Sequence, residues 1–267
     1  MIAGIVSLSA VAVMADFRDD RRIAAEVDRD PLVSVCAGVE VRSASGSLTP
    51  EQLDEFAGLV ERGVGDIARF TGVEPRKERI LVYLSPHVEI SHTYPRYPGS
   101  YQHEPRIFLD SDRVPDHSAP YLHELVHAVV GDGGPMWLEE GFASWVASSV
   151  ATKYGGYYAP VLSAGNDRVD AQARAAIERS RAAGEPGDWF TADDPHLTSP
   201  RERRAFYILS HSFTKFLATS LGTNSLVSIH RADDVNALAR LSGVSLDEWQ
   251  RRWMEGIGEG GTVAATR

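Results

Sequence analysis

His123-Glu124-Leu125-Val126-His127, followed ten positions after His127 by Trp137-Leu138-Glu139-Glu140-Gly141-Phe142-Ala143, decides how this chain is read. An α-helix turns once in about 3.6 residues, so two histidines four apart leave one face and their imidazoles can share a metal ion. Glu124 stands about 100° round the helix from His123, close enough to reach a water on that ion without being a ligand. A second helix carrying Glu140 offers a third ligand. Three protein ligands with a fourth position open are the pattern of a catalytic zinc rather than a structural one.

The flanking residues agree with that placement. Leu122, Leu125, Val126, Val129 and Val130 recur at helical spacing and predict a buried helix over Tyr121 to Val130. Ser118 is its expected N-cap, Pro120 fits its first turn, and Gly131 with Gly133-Gly134-Pro135 ends it. Without a metal, two buried imidazoles and a carboxylate would each need a polar partner, at roughly 1–3 kcal/mol for each one left unpaired. One ion satisfies both imidazoles. Pro135 opens a second helical run, Met136 to about Ser148, with Trp137, Leu138, Phe142 and Trp145 as its apolar positions. Glu140 shares a face there with Ala143, Ser144 and Ala147, small residues that let one helix approach another closely. On the residues alone, Glu139 and Asp132 compete with Glu140 for the ligand role.

These two blocks resemble the gluzincin zinc metallopeptidases, in particular the small peptidase-MA-like or minigluzincin type, whose pattern is His-Glu-x-x-His followed by Trp-Leu-x-Glu-Gly-x-Ala. Rival zincins fit badly, since a metzincin needs Gly and His where Val130 and Gly133 stand, and the Asp-bearing second motif of aspzincins is missing. A third block, Tyr207-Ile-Leu-Ser-His-Ser-Phe-Thr-Lys-Phe-Leu-Ala-Thr-Ser-Leu-Gly222, matches the family's helix that opens on a tyrosine and closes on Leu-Gly, although Ser210-His211 replaces its usual small residue. Gly243 to Trp253 resembles the family's closing helix. The likeness runs from about Ile80 to Trp253.

The resemblance implies an α+β fold, a thermolysin-like zincin with a small mixed-sheet lobe followed by a helical lobe and a zinc cleft between them. It implies one Zn2+ held by His123, His127 and Glu140, with Glu124 as general base, Tyr207 as oxyanion donor, and a peptide or protein as substrate. His211, four residues beyond Tyr207 and so on the same helical face, is either a second oxyanion donor or a support for the site. The strand Arg106 to Asp110, just before the zinc helix, is in such enzymes the sheet edge that pairs with substrate backbone. Two other functions compete: a non-hydrolytic zinc-holding binding module, and a zinc hydrolase of a non-peptide amide or ester. The intact Glu124 argues against the first. The Gly-x-Met-Glu-Asn strand of aminopeptidases has no counterpart, and Glu104, the carboxylate upstream of the candidate edge strand, reads as a loop charge.

A formal net charge of −10 and a pI near 5.4 argue against nucleic acid or an anionic membrane surface as partner. Met1 to Ala15 is apolar and uncharged but shorter than the roughly 20 residues that span a bilayer. It resembles the apolar region of a signal peptide, with Val13 and Ala15 placed for cleavage and no basic residues before it. Contact with a membrane is expected only through this segment, if it is retained. Such a segment points to an extracytoplasmic protein, secreted or N-terminally anchored, against the cytoplasmic alternative. The single cysteine, Cys36, forbids an intramolecular disulfide.

The expected organisation is residues 1–15 as this signal-like or anchor segment, 16–117 as an α+β lobe, 118–255 as the helical lobe with the zinc site, and 256–267 as a flexible tail. Within it, Val33 to Arg42 reads as one strand, and Thr49-Pro50-Glu51-Gln52 as a capping box opening a helix to about Phe70. Arg79 to Ser85 is a strand, and His87 to Gln102 a loop or an irregular ribbon broken by Pro and Gly. Val169 to Ala183 is a charged helix, Glu185 to Ser199 a loop, and Ser199 to Glu202 and Ser245 to Glu248 are capping boxes.

Overall fold

A computed structural model describes residues 8–74, 78–94, 104–154, 165–183, 190, 199–232, 234 and 236–258. The elements run α1 (Leu8–Val27), β1 (Pro31–Cys36), β2 (Val39–Ala44), α2 (Pro50–Thr71), β3 (Ile80–Ser85), β4 (His92–Tyr94), β5 (Arg106–Asp110), α3 (Tyr121–Val130) and α4 (Met136–Tyr154). Then follow α5 (Val169–Ala182), α6 (Pro200–Leu221), α7 (Thr223–Arg231), α8 (Ala237–Ser242) and α9 (Leu246–Gly258). The chain is mixed α+β, with one five-stranded mixed sheet among the described residues. It divides into two compact units, residues 1–63 with 76–128, and residues 64–75 with 129–267.

The first unit holds the sheet, ordered β1-β2-β3-β5-β4, with β2, β3 and β5 parallel and both outer strands antiparallel to their neighbours. Register fixes which side chains share a face, because neighbours along a strand point to opposite sides. One row across the sheet is Ser34, Val41, Val82, Ile107 and Thr93; the next, on the other face, is Val33, Arg42, Tyr83, Phe108 and His92. The second face packs on α1. Ile23, Ala24 and Val27 bury themselves there against Leu81, Tyr83, Val88 and Phe108, and Phe108 lies flat between Tyr83 (5.3 Å) and His92 (5.2 Å). On the first face Ser34 Oγ donates to Asp54 Oδ1 of α2 at 2.6 Å. β3 is buried along its whole length, which is why Ile80-Leu-Val-Tyr-Leu-Ser85 reads as a continuous apolar run rather than an alternating one.

At the outer end of the α1 face, Glu40 receives the guanidinium groups of Arg42 and Arg79. Burial alone would raise its carboxyl, but these two hydrogen-bonded cations hold it below the usual range. Burial pushes the Tyr83 phenol up to about 12.

Three local expectations are corrected. Val33 to Arg42 is a hairpin rather than one strand: Ala37-Gly38 makes a two-residue turn, Gly38 takes φ 78°, and Cys36 pairs with Val39. An Ala-Gly turn lacks the Asn-Gly or Asp-Gly signal that marks such hairpins in a sequence. The ribbon from His87 onward contains strand β4, and β5 therefore has a neighbour on each side. The edge is β4, not Arg106 to Asp110. Three residues are too few to display a period of two, so β4 left no pattern to read. Finally, α3 is not capped by Ser118. The Pro120 carbonyl accepts from His123 N (3.1 Å) and Glu124 N (3.3 Å) and so occupies the cap position, while Ser118 is held by Arg113 and Asp116.

In α2 the Thr49 capping box is present, with Thr49 N to Gln52 Oε1 at 2.9 Å and Gln52 N to Thr49 Oγ1 at 3.2 Å. The second unit is helical. Ser199 and Glu202 form a full capping box around Pro200 at the start of α6, and Ser245 Oγ accepts from Glu248 N at 3.3 Å at the start of α9. α4 runs six residues past Ser148, and α9 extends to Gly258, into the stretch expected to fray. The expected loop over Glu185 to Ser199 lies almost wholly outside the described residues, as do 259–267 and the first seven residues. Among the described residues no helix is long and apolar enough to cross a membrane.

Candidate metal centre

Seven of the ten residues of α3 are apolar, and it nonetheless buries three ionisable side chains: His123 (4% exposed), Glu124 (4%) and His127 (7%). Burial at that level requires polar partners. The two imidazoles lie with Nε2 atoms 3.3 Å apart. Nitrogens bound to zinc at about 2.0–2.1 Å in a tetrahedron stand ~3.3–3.4 Å apart, so the pair matches the separation that one zinc ion imposes. A carboxylate oxygen of Glu140 completes a group in which all three ligand atoms lie within 4.8 Å of one another. Asp132 and Glu139 form another such group with His127 alone. The group containing both imidazoles has Glu140 as its carboxylate. Two imidazoles and a carboxylate are a donor set zinc accepts.

Glycines place these residues. Gly131 and Gly134, at φ 91° and 77°, make the bend between α3 and α4. A Cβ on Gly133 would collide with the His230 carbonyl oxygen, so the bend lies against α7. His230 is itself buried and stacked on Phe142 of α4 at 4.3 Å. Next to Glu140, a Cβ on Gly141 would stand 2.7 Å from the Ser210 carbonyl carbon and closer still to its oxygen and to Thr214 Oγ1. The close approach of α4 to α6 is thus made by Gly141 against Ser210 and Thr214, one position from the small-residue stripe expected around Glu140. Gly141→Ala is expected to force the helices apart and to destabilise the fold by about 1–3 kcal/mol, measured as a lower thermal midpoint. An unchanged midpoint would mean that the helices separate at no cost.

Of the other two residues singled out in sequence, Tyr207 is 5% exposed within α6, edge-on to Phe206 at 5.9 Å, and the helix opens almost two turns upstream of it. His211 is fully buried, with Nε2 2.7 Å from Asn166 Oδ1. The Asn166 amide nitrogen donates to Ser149 Oγ at 2.9 Å, which leaves Oδ1 as the acceptor and makes His211 Nε2 the donor. Lys215 Nζ reaches Asn166 O (2.7 Å) and Asp170 Oδ2 (2.5 Å), while Ser212 Oγ bonds Asp170 Oδ1 (2.8 Å) and accepts from Trp253 Nε1 (3.0 Å). His211 therefore belongs to a part-buried polar network that ties α4, α5, α6 and α9 together.

One contact was invisible in the sequence. Thr93 Oγ1 lies 2.8 Å from Glu124 Oε2 and 3.0 Å from the Glu124 carbonyl oxygen. On the opposite face of β4, Asp20 Oδ2 binds His92 Nε2 (2.9 Å) and the Tyr94 hydroxyl (2.6 Å). Burial would lower the His92 pKa, but the hydrogen bond and charge of Asp20 outweigh it and raise it.

No family model matches the chain, and no curated protein matches it in sequence. Among solved structures it is similar to an M1 zinc metallopeptidase from Deinococcus radiodurans, with a TM-score of 0.50 and 19% identity over 82% of this chain and 48% of that one. A glutamate-to-alanine mutant of the same enzyme gives a TM-score of 0.46 and 18% identity over the same shares. The chain spans about half the length of these solved structures. At 19% identity the first likeness establishes a shared fold.

Proposed function

We propose that the chain is a zinc-dependent peptidase of thermolysin-like zincin fold, with His123, His127 and Glu140 as zinc ligands and Glu124 as general base. The observation that carries this reading is the pair of buried imidazoles 3.3 Å apart, with the Glu140 carboxylate grouped beside them. A fold shared with a zinc metallopeptidase supports it. Bound zinc would supply Lewis-acid polarisation of the substrate carbonyl and a lowered pKa for water.

The side chains divide the remaining work. Glu124 takes a proton from the attacking water and hands it to the leaving amine as the C–N bond breaks. The Tyr207 hydroxyl donates to the oxygen on which negative charge develops; one such donor is typically worth about 10²–10³ in turnover. His211, whose Nε2 is engaged by Asn166, supports α6 beneath Tyr207 rather than meeting substrate. Asp132 and Glu139, whose carboxylate oxygens lie within 4.8 Å of a His127 ring nitrogen, offer one acceptor that would orient that ring. Strand β4, at the edge of the sheet beside Glu124, is where an extended peptide would add.

The test is cleavage of quenched peptide libraries by the zinc-loaded protein. Hydrolysis that a chelator abolishes and added zinc restores is the expected result. Zinc-loaded protein that hydrolyses simple esters or amides but no peptide would sink the peptidase reading, and chelator-insensitive cleavage would sink the metal.

A further inference from the structure

We propose that Thr93 is a positioning residue for Glu124: its hydroxyl pins one carboxylate oxygen and leaves the other to carry the proton of the attacking water. The inference rests on Glu124 being the base.

Register dictates where Thr93 points. It ends the row Ser34, Val41, Val82, Ile107, Thr93, whose three middle members are buried aliphatics, and so a hydroxyl there faces an apolar interior. The acceptors it meets there both belong to Glu124, Oε2 at 2.8 Å and the main-chain oxygen at 3.0 Å. A hydroxyl has a single proton, which these two acceptors share. One side chain thereby grips both ends of Glu124 and fixes the carboxylate relative to its own helix. A glutamate otherwise has several rotatable bonds with which to drift from the reacting water. With Oε2 occupied, Oε1 is the oxygen free to accept and release the proton.

A grip is only as steady as the strand that holds it, and β4 is three residues long at the end of a sheet. Its anchorage lies on the other face. His92 and Tyr94 both bind the buried Asp20 of α1, and the His92 ring stacks on Phe108 at 5.2 Å with 12° between planes. The alternation of a strand thus gives β4 two duties: its outer residues fasten it to α1, and the middle one reaches Glu124. The Thr93 methyl and hydroxyl share one Cβ, so Val is close to isosteric while lacking the donor.

The experiment compares Thr93→Val and Thr93→Ser with wild type in the full-length, zinc-loaded protein, on a peptide that wild type cleaves. Thr93→Val is expected to lower kcat by about 10–100-fold, as misplacing a reacting group does, with KM and zinc content unchanged. Thr93→Ser should restore most of the loss. A purely structural role would not split kcat from KM, nor be rescued by a hydroxyl alone. Wild-type kcat in Thr93→Val, or Thr93→Ser as slow as Thr93→Val, overturns the inference. Should Thr93→Val fail to fold, Thr93→Ala against Thr93→Ser makes the same comparison, and equal kcat in that pair overturns it. Zinc-loaded wild type that cleaves no peptide refutes the base assignment itself, whatever the Thr93 variants do.

Discussion

Glu124→Gln is expected to keep its zinc and to lose about 10²–10⁴ in kcat, the usual contribution of a general base. The amide has the shape of the carboxylate, and its oxygen can still accept the Thr93 hydroxyl that now lies 2.8 Å from Oε2. What it cannot do is take a proton from water. Glu124 also stands outside the group formed by His123, His127 and Glu140, so removing its charge removes no ligand. The checks are steady-state kinetics and metal content on the same preparation. Turnover within a few-fold of wild type would put the base elsewhere, and loss of zinc would make Glu124 a ligand.

His127→Ala is expected to lose zinc and activity together. Removing a partner that merely supports a ligand typically costs about 10–100-fold in metal affinity, and removing a ligand costs more. The buried position adds to the effect. His123 would keep an imidazole at 4% exposure without the neighbour 3.3 Å away, in a helix otherwise apolar. Zinc titration against a competing chelator reads the loss directly. Wild-type affinity in this variant would remove His127 from the coordination sphere.

How much of this could be read in advance depended on whether the information was local. His123 and His127 are four residues apart on one helix, and their shared face follows from helix geometry alone. The helices themselves were legible from apolar spacing and from capping boxes, such as Thr49 with Gln52 and Ser199 with Glu202, whose partners lie within one turn. Glu140 was narrowed down only through its neighbours in Trp-Leu-x-Glu-Gly, since Glu139 and Asp132 are also carboxylates and both lie nearer His127 in sequence. The structure groups Glu140 with both imidazoles and the other two with His127 only.

The misses were non-local or unsigned. Thr93 meets Glu124 across 31 residues of chain, through a strand too short to leave a pattern. The role of Gly141 depends on Ser210 and Thr214, which no spacing connects to it. Ala37-Gly38 turns a hairpin without the residues that advertise one. For Thr93 and Gly141 a tertiary contact, not a propensity, chose the outcome.

The most direct measurement is zinc content by mass spectrometry of wild type and Glu140→Ala, purified side by side. Stoichiometric zinc in the wild type and its loss in the variant are the predicted result. Wild type free of zinc after exposure to the metal, or a variant that binds it undiminished, would contradict a centre built from His123, His127 and Glu140.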